Sequence, residues 1–235
     1  MSLPTHTEHS IGSRPLLVTF AAVAVVNVLA TAVDNSLAHD LTTALIVPLL
    51  AAWMFTESRR PLPPPLRLLT FGLVFAWCGD LALLGSGDVR FILGIALFLV
   101  MQVCYIGAFR RVPGPGLVRA WPLALVPYVL LWCALATAMV LTSGAAALPG
   151  LVYGVVLVTM AVSALDLVIR VKPQRNGWHV AIGAALFMIS DALIALTAFA
   201  GVSSSPALSA AVMATYAAAQ YLIVTGFTRA NAQAG

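Results

Sequence analysis

Long apolar runs alternate with short polar segments along the whole chain. Eight such runs each approach the roughly 20 residues that a helix needs to cross about 30 Å of hydrocarbon. They span residues 16–33, 40–56, 67–85, 90–110, 118–142, 149–170, 177–200 and 207–228. Asp40 and Asp88 precede runs whose helices they can cap, and proline-rich segments at 61–65 and 113–116 separate others. The pattern predicts an all-α polytopic membrane protein with eight transmembrane helices.

The composition agrees with a membrane protein and leaves no room for a soluble domain. Hydrophobic residues make up 61% of the chain and charged residues only 9%, whereas about 25% of residues are charged in soluble proteins. The eight spans use most of the 235 residues, so residues 1–235 are expected to form a single membrane domain. The basic residues are scattered without a dense patch, which argues against a nucleic-acid partner.

The positions of the basic residues predict the orientation. If the N-terminus is cytoplasmic, eleven of the twelve Lys and Arg residues fall on the cytoplasmic side and only Arg90 falls on the other. Such a bias is the usual signature of cytoplasmic loops. We therefore expect both termini to be cytoplasmic and the protein to lie in the cytoplasmic (inner) membrane of a bacterium.

Part of the sequence occurs twice at a fixed spacing. Three pairs of residues share an offset of 111: Gly72 and Gly183, Asp80 and Asp191, and Tyr105 and Tyr216. This offset carries the third and fourth spans onto the seventh and eighth. It predicts two parallel four-helix repeats, approximately 15–115 and 116–230, related by an axis along the membrane normal.

Each repeat carries one carboxylate within an apolar helix, Asp80 in the first and Asp191 in the second. An ionised Asp at the centre of a membrane helix costs roughly 2.5–3.5 kcal/mol on insertion scales, so such a residue normally faces the bundle interior and has a function. Counting from the cytoplasmic ends places both at about the same depth. No Lys or Arg lies at that depth, so we expect at least one of them to be protonated at neutral pH. A purely structural role is the alternative.

Other polar residues approach the same depth. The candidate substrate-binding residues are Tyr105, Tyr153, Tyr216, Gln220, Gln102 and Asn27. The alternative for each of them is an interhelical hydrogen bond that holds the bundle together. Lys172, the only lysine, lies in a loop, and His39 and His179 lie at opposite rims. We therefore expect neither retinal, haem nor a metal ion, and no other cofactor.

Several of these residues also occur together in a known family. They are Gly79-Asp80, Phe91, Gly94, Phe98, Tyr105, Tyr153, Met160, the segment from Gly183 to Ser190-Asp191, and Thr215-Tyr216 with Gln220. In this set the chain resembles the YhhN family of eight-span proteins, which includes the lysoplasmalogenases. The segment ending in Ser190-Asp191 is the most specific part. The resemblance implies hydrolysis of the vinyl ether bond of a lysoplasmalogen, which yields a fatty aldehyde and glycerophospho-ethanolamine or -choline.

Two positions depart from the family pattern. Gln102 stands where members usually have His, and Thr43 where many have Lys. Vinyl ether hydrolysis needs a neutral acid and a second, ionised carboxylate, a division of labour known from glycosidases, so Asp80 and Asp191 are the predicted catalytic residues. A lysophospholipid or related lipid is the expected partner. A proton-coupled transporter, a lipid-binding protein and a family member without catalysis are the alternatives.

Overall fold

A computed structural model describes residues 14–233 and contains no β-strand within them. The fold is all-α, as predicted, and eight of its helices have 18 or more residues. The helices are α1 (Arg14–Ala32), α2 (Ser36–Glu57), α3 (Pro64–Leu83), α4 (Asp88–Arg110), α5 (Leu117–Ala120), α6 (Val126–Ser143), α7 (Leu148–Leu165), α8 (Leu167–Arg170), α9 (Gln174–Phe199) and α10 (Pro206–Gln233). The short helices α5 and α8 lie in the connections.

Seven helical stretches among the described residues are long and apolar enough to cross a membrane by length and composition. The chain is therefore an integral, multi-pass membrane protein. One of the seven, Pro122–Arg170, has 49 residues and contains both α6 and α7. At 1.5 Å per residue, a continuous helix of that length would be far longer than the hydrocarbon core is thick.

This 49-residue stretch folds back on itself at Gly144, which has φ +54°. A Cβ placed on Gly154 would lie 2.6 Å from the indole nitrogen of Trp132, and Met139 similarly packs against Gly150. Both contacts join a residue before Gly144 to one after it. The pair with the larger separation in the chain, Trp132 and Gly154, lies farther from the turn. Helices α6 and α7 are therefore an antiparallel hairpin.

The prediction that Asp40 and Asp88 cap helices is wrong. Helix α2 begins four residues before the predicted run, and the side chain of its N-cap, Asn35, accepts a hydrogen bond from the backbone N–H of Ala38 at 3.1 Å. Asp40 lies inside that helix, and Asp88 is the first residue of α4 after Gly87. Asn caps as well as Asp does, and polar residues at the membrane rim continue a helix beyond its apolar run.

Close contacts between helix pairs place the carboxylate-bearing helices in the interior. Helix α3 packs along α4 and α9 packs along α10, while α7 contacts both α4 and α9. Gly72 accommodates the ring of Tyr105, and a Cβ on Gly183 would lie 2.9 Å from the carbonyl oxygen of Ala219. Small residues let helix backbones approach closely, which is how helices associate in membranes. The two Asp residues thus lie on helices that pack on several sides.

Candidate functional site

A cavity of about 150 Å³ lies at the end of the bundle where α3 ends and α4 begins, and both Asp80 and Asp191 line it. Seven helices contribute to its wall, which is largely apolar. Its other polar lining residues are His39, Thr43, Tyr153, Ser190 and Tyr216. Asp80 lies 16 residues after the first residue of α3, and Asp191 lies 17 after the first residue of α9. The two carboxylates are therefore at similar positions along their helices and share one cavity.

Asp80 is held by a tyrosine from the other half of the chain. Asp80 is only 6% exposed, and the hydroxyl of Tyr216 on α10 donates a hydrogen bond to its Oδ2 at 2.7 Å. The preceding residue, Gly79, leaves room for the ring of Phe98, which would lie 2.9 Å from an added Cβ. The side chain of Asp80 therefore lies between a polar partner and a packed aromatic ring.

Asp191 has an equivalent partner from a different helix. The hydroxyl of Tyr153 on α7 donates to its Oδ2 at 2.6 Å, and the residue is half-buried. Within residues 14–233, Oδ1 of neither Asp191 nor Asp80 accepts a hydrogen bond. Each carboxyl group is thus positioned through one oxygen, which leaves the other oxygen free to meet a ligand in the cavity.

Aromatic rings pack around the carboxylate of Asp80. The rings of Phe98, Phe187 and Tyr216 contact one another edge to face, with centroids 5.9–6.2 Å apart. Phe98 and Tyr216 line the cavity, and Phe187 is fully buried behind them. Edge-to-face packing is a favourable arrangement for such rings. It fixes the position of the Tyr216 hydroxyl that holds Asp80.

Three of the predicted substrate-binding residues lie behind the cavity and are not among its lining residues. The hydroxyl of Tyr105 donates to Oε1 of Gln220 at 2.9 Å, and Gln220 lies beside Tyr216. Gln102 lies beside Tyr153, but neither polar atom of its fully buried amide has a partner with hydrogen-bond geometry among residues 14–233. These residues form a second layer that contacts the two tyrosines.

Asn27 also lies away from the cavity, between α1 and α2. Its Nδ2 atom contacts the hydroxyls of Thr42 and Thr43 at 2.9 and 2.8 Å and the carbonyl oxygen of His39 at 3.2 Å. Thr43 and His39 line the cavity. Asn27 therefore supports one wall of the cavity from outside.

His39 and Ser190 line the cavity although sequence reasoning did not select them as site residues. Nδ1 of His39 is 2.9 Å from the hydroxyl of Thr31, and the Ser190 hydroxyl donates to the carbonyl oxygen of Val212 at 3.1 Å. His39 was expected at a rim, and it does lie in the first turn of α2. The cavity itself lies near that end of the bundle, so a residue at the rim can reach it.

The arrangement suits proton transfer around an apolar ligand. Two carboxyl groups from different helices meet one cavity, and each has an oxygen without a protein partner among the described residues. One carboxyl group in the acid form donates a proton, and a carboxylate accepts one. The apolar wall would bind hydrocarbon and limit the entry of water.

Comparison with known proteins identifies the family. The model of the YhhN family matches residues 38–227, which include both cavity-lining carboxylates and their tyrosine partners. No curated protein and no solved structure matches the chain significantly. Since the matched segment covers most of the chain, the protein belongs to the YhhN family.

Proposed function

We propose that the protein is a membrane hydrolase that cleaves the vinyl ether bond of a lysoplasmalogen, with Asp80 and Asp191 as its catalytic residues. The observation that carries this proposal is that both carboxyl groups line one largely apolar cavity. Membership of the YhhN family is consistent with it. The products are a fatty aldehyde and glycerophospho-ethanolamine or -choline, and no cofactor takes part.

The reaction begins with proton transfer to carbon. The protonated member of the carboxyl pair gives its proton to the vinyl carbon that is not bonded to oxygen, and the C=C electron pair forms the new C–H bond. The other vinyl carbon becomes part of an oxocarbenium ion. The second carboxyl group is ionised and stabilises this cation across the cavity, as a carboxylate does in glycosidases. Because both groups contact one ligand, their protonation states are coupled.

Water completes the reaction. The oxygen of a water molecule bonds to the cationic carbon, and the ionised carboxylate accepts a proton from this water. The product of this step is a hemiacetal. The hemiacetal hydroxyl then gives its proton to the first carboxylate while the bond to the glycerol oxygen breaks, which releases the aldehyde. The glycerol oxygen takes the proton that the second carboxyl group accepted from water. One water molecule is consumed and the acid is regenerated. The hydroxyls of Tyr153 and Tyr216 hold the two carboxyl groups in place throughout.

The size and lining of the cavity fit only the reacting part of a lysolipid. Drug-sized ligands occupy pockets of about 300–1,000 Å³, whereas this cavity measures about 150 Å³. Phe91, Ile95 and Phe199 form an apolar part of its wall on α4 and α9. The alkenyl chain would leave the cavity along these residues toward lipid, and only the vinyl ether and adjacent atoms would lie between the carboxyl groups.

The helix bounds support eight crossings in two parallel repeats. Moved by 111 residues, the bounds of α1, α2 and α3 become 125–143, 147–168 and 175–194, and they overlap α6, α7 and α9. The contacts between helices correspond as well. Helix α2 contacts α3 and α10, and its counterpart α7 contacts their counterparts α9 and α4. If both termini are cytoplasmic, the cavity lies in the half of the bilayer that faces away from the cytoplasm. In a bacterium this bilayer is the cytoplasmic membrane.

Packing beneath the cavity favours an enzyme over a carrier. A carrier needs a path from its binding site to each face in turn. Between the carboxylates and the opposite end of the bundle lie large side chains that are at most 1% exposed, namely Trp53, Met101, Tyr105, Phe109, Met160 and Phe227. Such a layer separates the cavity from that end of the bundle.

The two departures from the family pattern have different surroundings. Thr43 lines the cavity and accepts a hydrogen bond from Asn27, so a lysine there would have placed a cation in the wall. Gln102 contacts the site only through Tyr153. We assign Gln102, Tyr105 and Gln220 to positioning the two tyrosines, and neither departure removes a carboxyl group.

The test is aldehyde release by purified protein in lipid nanodiscs supplied with a lysoplasmalogen. Wild type should release aldehyde, and Asp80→Asn and Asp191→Asn should each reduce the rate by about a hundredfold or more. Asp88→Asn is the matched control, because it makes the same change at an exposed residue at the same end of the bundle. Wild-type rates in either cavity variant would remove that residue from the mechanism. Uptake of lipid into proteoliposomes without aldehyde would support the carrier instead.

A further inference from the structure

A second, larger cavity opens at the end of the bundle opposite to the carboxylates. Its volume is about 580 Å³. Its wall comes from the segment between α2 and α3, the end of α4, the end of α8 with the residues after it, and the end of α10. Both halves of the chain therefore contribute to it, and it lies at the level where helices leave the hydrocarbon.

The wall of this cavity is strongly basic. Arg59, Arg111, Arg170 and Lys172 line it, and no Asp or Glu of the described part of the chain does. Arg59 and Arg170 are separated by 111 residues, the same offset that relates the two Asp residues. Asp166 lies outside the lining and contacts Arg170 at 3.4 Å. The carboxylate of Asp166 therefore neutralises only part of the positive charge of the four basic lining residues.

Some residues that line this cavity carry buried donors without a partner among the described residues. Thr228 lines the cavity and is 0% exposed, yet its hydroxyl has no hydrogen-bond partner within residues 14–233. The same holds for the buried Oγ of Ser58 and Nε of Arg170, which also belong to lining residues. Leaving buried donors unpaired is costly, so such groups usually have a ligand or an ordered water as partner. Positive-inside topology accounts for basic loops, but it does not account for unpaired buried donors.

We propose that this basic cavity binds a phosphate group carried by an anionic membrane phospholipid. Arginines bind phosphate through paired N–H donors, and hydroxyls add donors to the same oxygens. Basic pockets between transmembrane helices on the cytoplasmic side are suited to anionic lipid head groups. The position of the cavity at the helix ends favours a head group over a solute, although a soluble phosphate offers the same chemistry. The site is separate from the carboxylates and does not depend on the reaction.

The binding test uses two matched double variants. Arg59→Gln with Lys172→Gln removes two cations of the wall, and neither side chain makes a hydrogen bond or ion pair within residues 14–233. Arg67→Gln with Arg119→Gln removes two exposed cations that do not line the cavity. Thermal unfolding in detergent is followed while phosphatidylglycerol, phosphatidylcholine or inorganic phosphate is titrated, because a ligand that binds the folded state stabilises it.

We expect phosphatidylglycerol to stabilise wild type and the Arg67/Arg119 variant, and to bind the Arg59/Lys172 variant about tenfold more weakly or worse. Thr228→Val should weaken lipid binding and leave the unfolding temperature of the lipid-free protein unchanged. If the hydroxyl had a structural role instead, the variant would lower that unfolding temperature. Stabilisation by inorganic phosphate that is as strong as that by phosphatidylglycerol would assign the site to a soluble phosphate. Equal binding by the two double variants, or no stabilisation by any of the three probes, would overturn the proposal.

Discussion

The hydrogen bond between Tyr216 and Asp80 offers a sharp test of the site, because one atom can be removed without emptying the core. Tyr216→Phe deletes only the hydroxyl that donates to Oδ2 of Asp80 at 2.7 Å. The ring is retained, together with its edge-to-face contacts to Phe98 and Phe187. Among the described residues, Asp80 then has no side-chain hydrogen-bond donor left.

The expected loss follows from the strength of that bond. A hydrogen bond to a charged group contributes about 1.5–3 kcal/mol. If the full amount is lost when Asp80 reacts, the rate falls about 10- to 150-fold, since 1.36 kcal/mol corresponds to a factor of ten. We expect the decrease in kcat for aldehyde release, with little change in KM, because the hydroxyl contacts the carboxyl group and is not needed to hold the alkenyl chain.

Tyr221→Phe is the matched control on the same helix. The ring of Tyr221 stacks on Phe20 with centroids 5.8 Å apart, and its hydroxyl makes no hydrogen bond within residues 14–233. Both variants are assayed for aldehyde release and for thermal unfolding. If Tyr216→Phe remains folded and turns over as fast as Tyr221→Phe, the hydroxyl of Tyr216 does not serve the reaction, and the reasoning is refuted.

Two further predictions concern packing. Gln102→Met replaces a buried amide that has no hydrogen-bond partner in the described part of the chain by an apolar side chain of similar size. It should therefore raise the free energy of unfolding by about 1–3 kcal/mol; a lower free energy of unfolding would mean that the amide has a partner. Gly183→Ala should lower the unfolding temperature, because its methyl group meets the backbone of Ala219 at 2.9 Å, and such overpacking costs about 1–3 kcal/mol. Gly107→Ala is its control, since that methyl group meets only the flexible side-chain ends of Leu68 and Arg111, and equal melting of the two variants would contradict this account.

Hydropathy predicted most of the long helices because length and apolar composition are enough to define a membrane-spanning helix. The run at 118–142 is the exception, since α5 ends at Ala120 and α6 begins only at Val126. The runs at 67–85 and 90–110 correspond to α3 and α4 within a few residues. The ends were less accurate, as Asn35 shows, because polar residues at the rim remain helical. The count along each helix also placed Asp80 and Asp191 at similar depth.

Which side of a helix a residue faces was not predictable in the same way. In a soluble helix the apolar stripe marks the core, but here the lipid-facing surface is apolar too, as exposed Val25 and Leu29 on α1 illustrate. Asn27 was selected by its depth, and yet it contacts α2 and is not a lining residue of the cavity. The pairing of Asp80 with Tyr216 joins residues 136 apart in the chain, and only the packing of α10 against α3 brings them together.

The central claim is that Asp80 and Asp191 act together on one substrate molecule, and a double-mutant cycle on aldehyde release tests it most directly. Residues that act as a unit have strongly non-additive effects. We predict that Asp80→Asn, Asp191→Asn and the double variant all show nearly the same residual rate with lysoplasmalogen. Losses that multiply in the double variant, or a single variant that retains the wild-type rate, would contradict the claim.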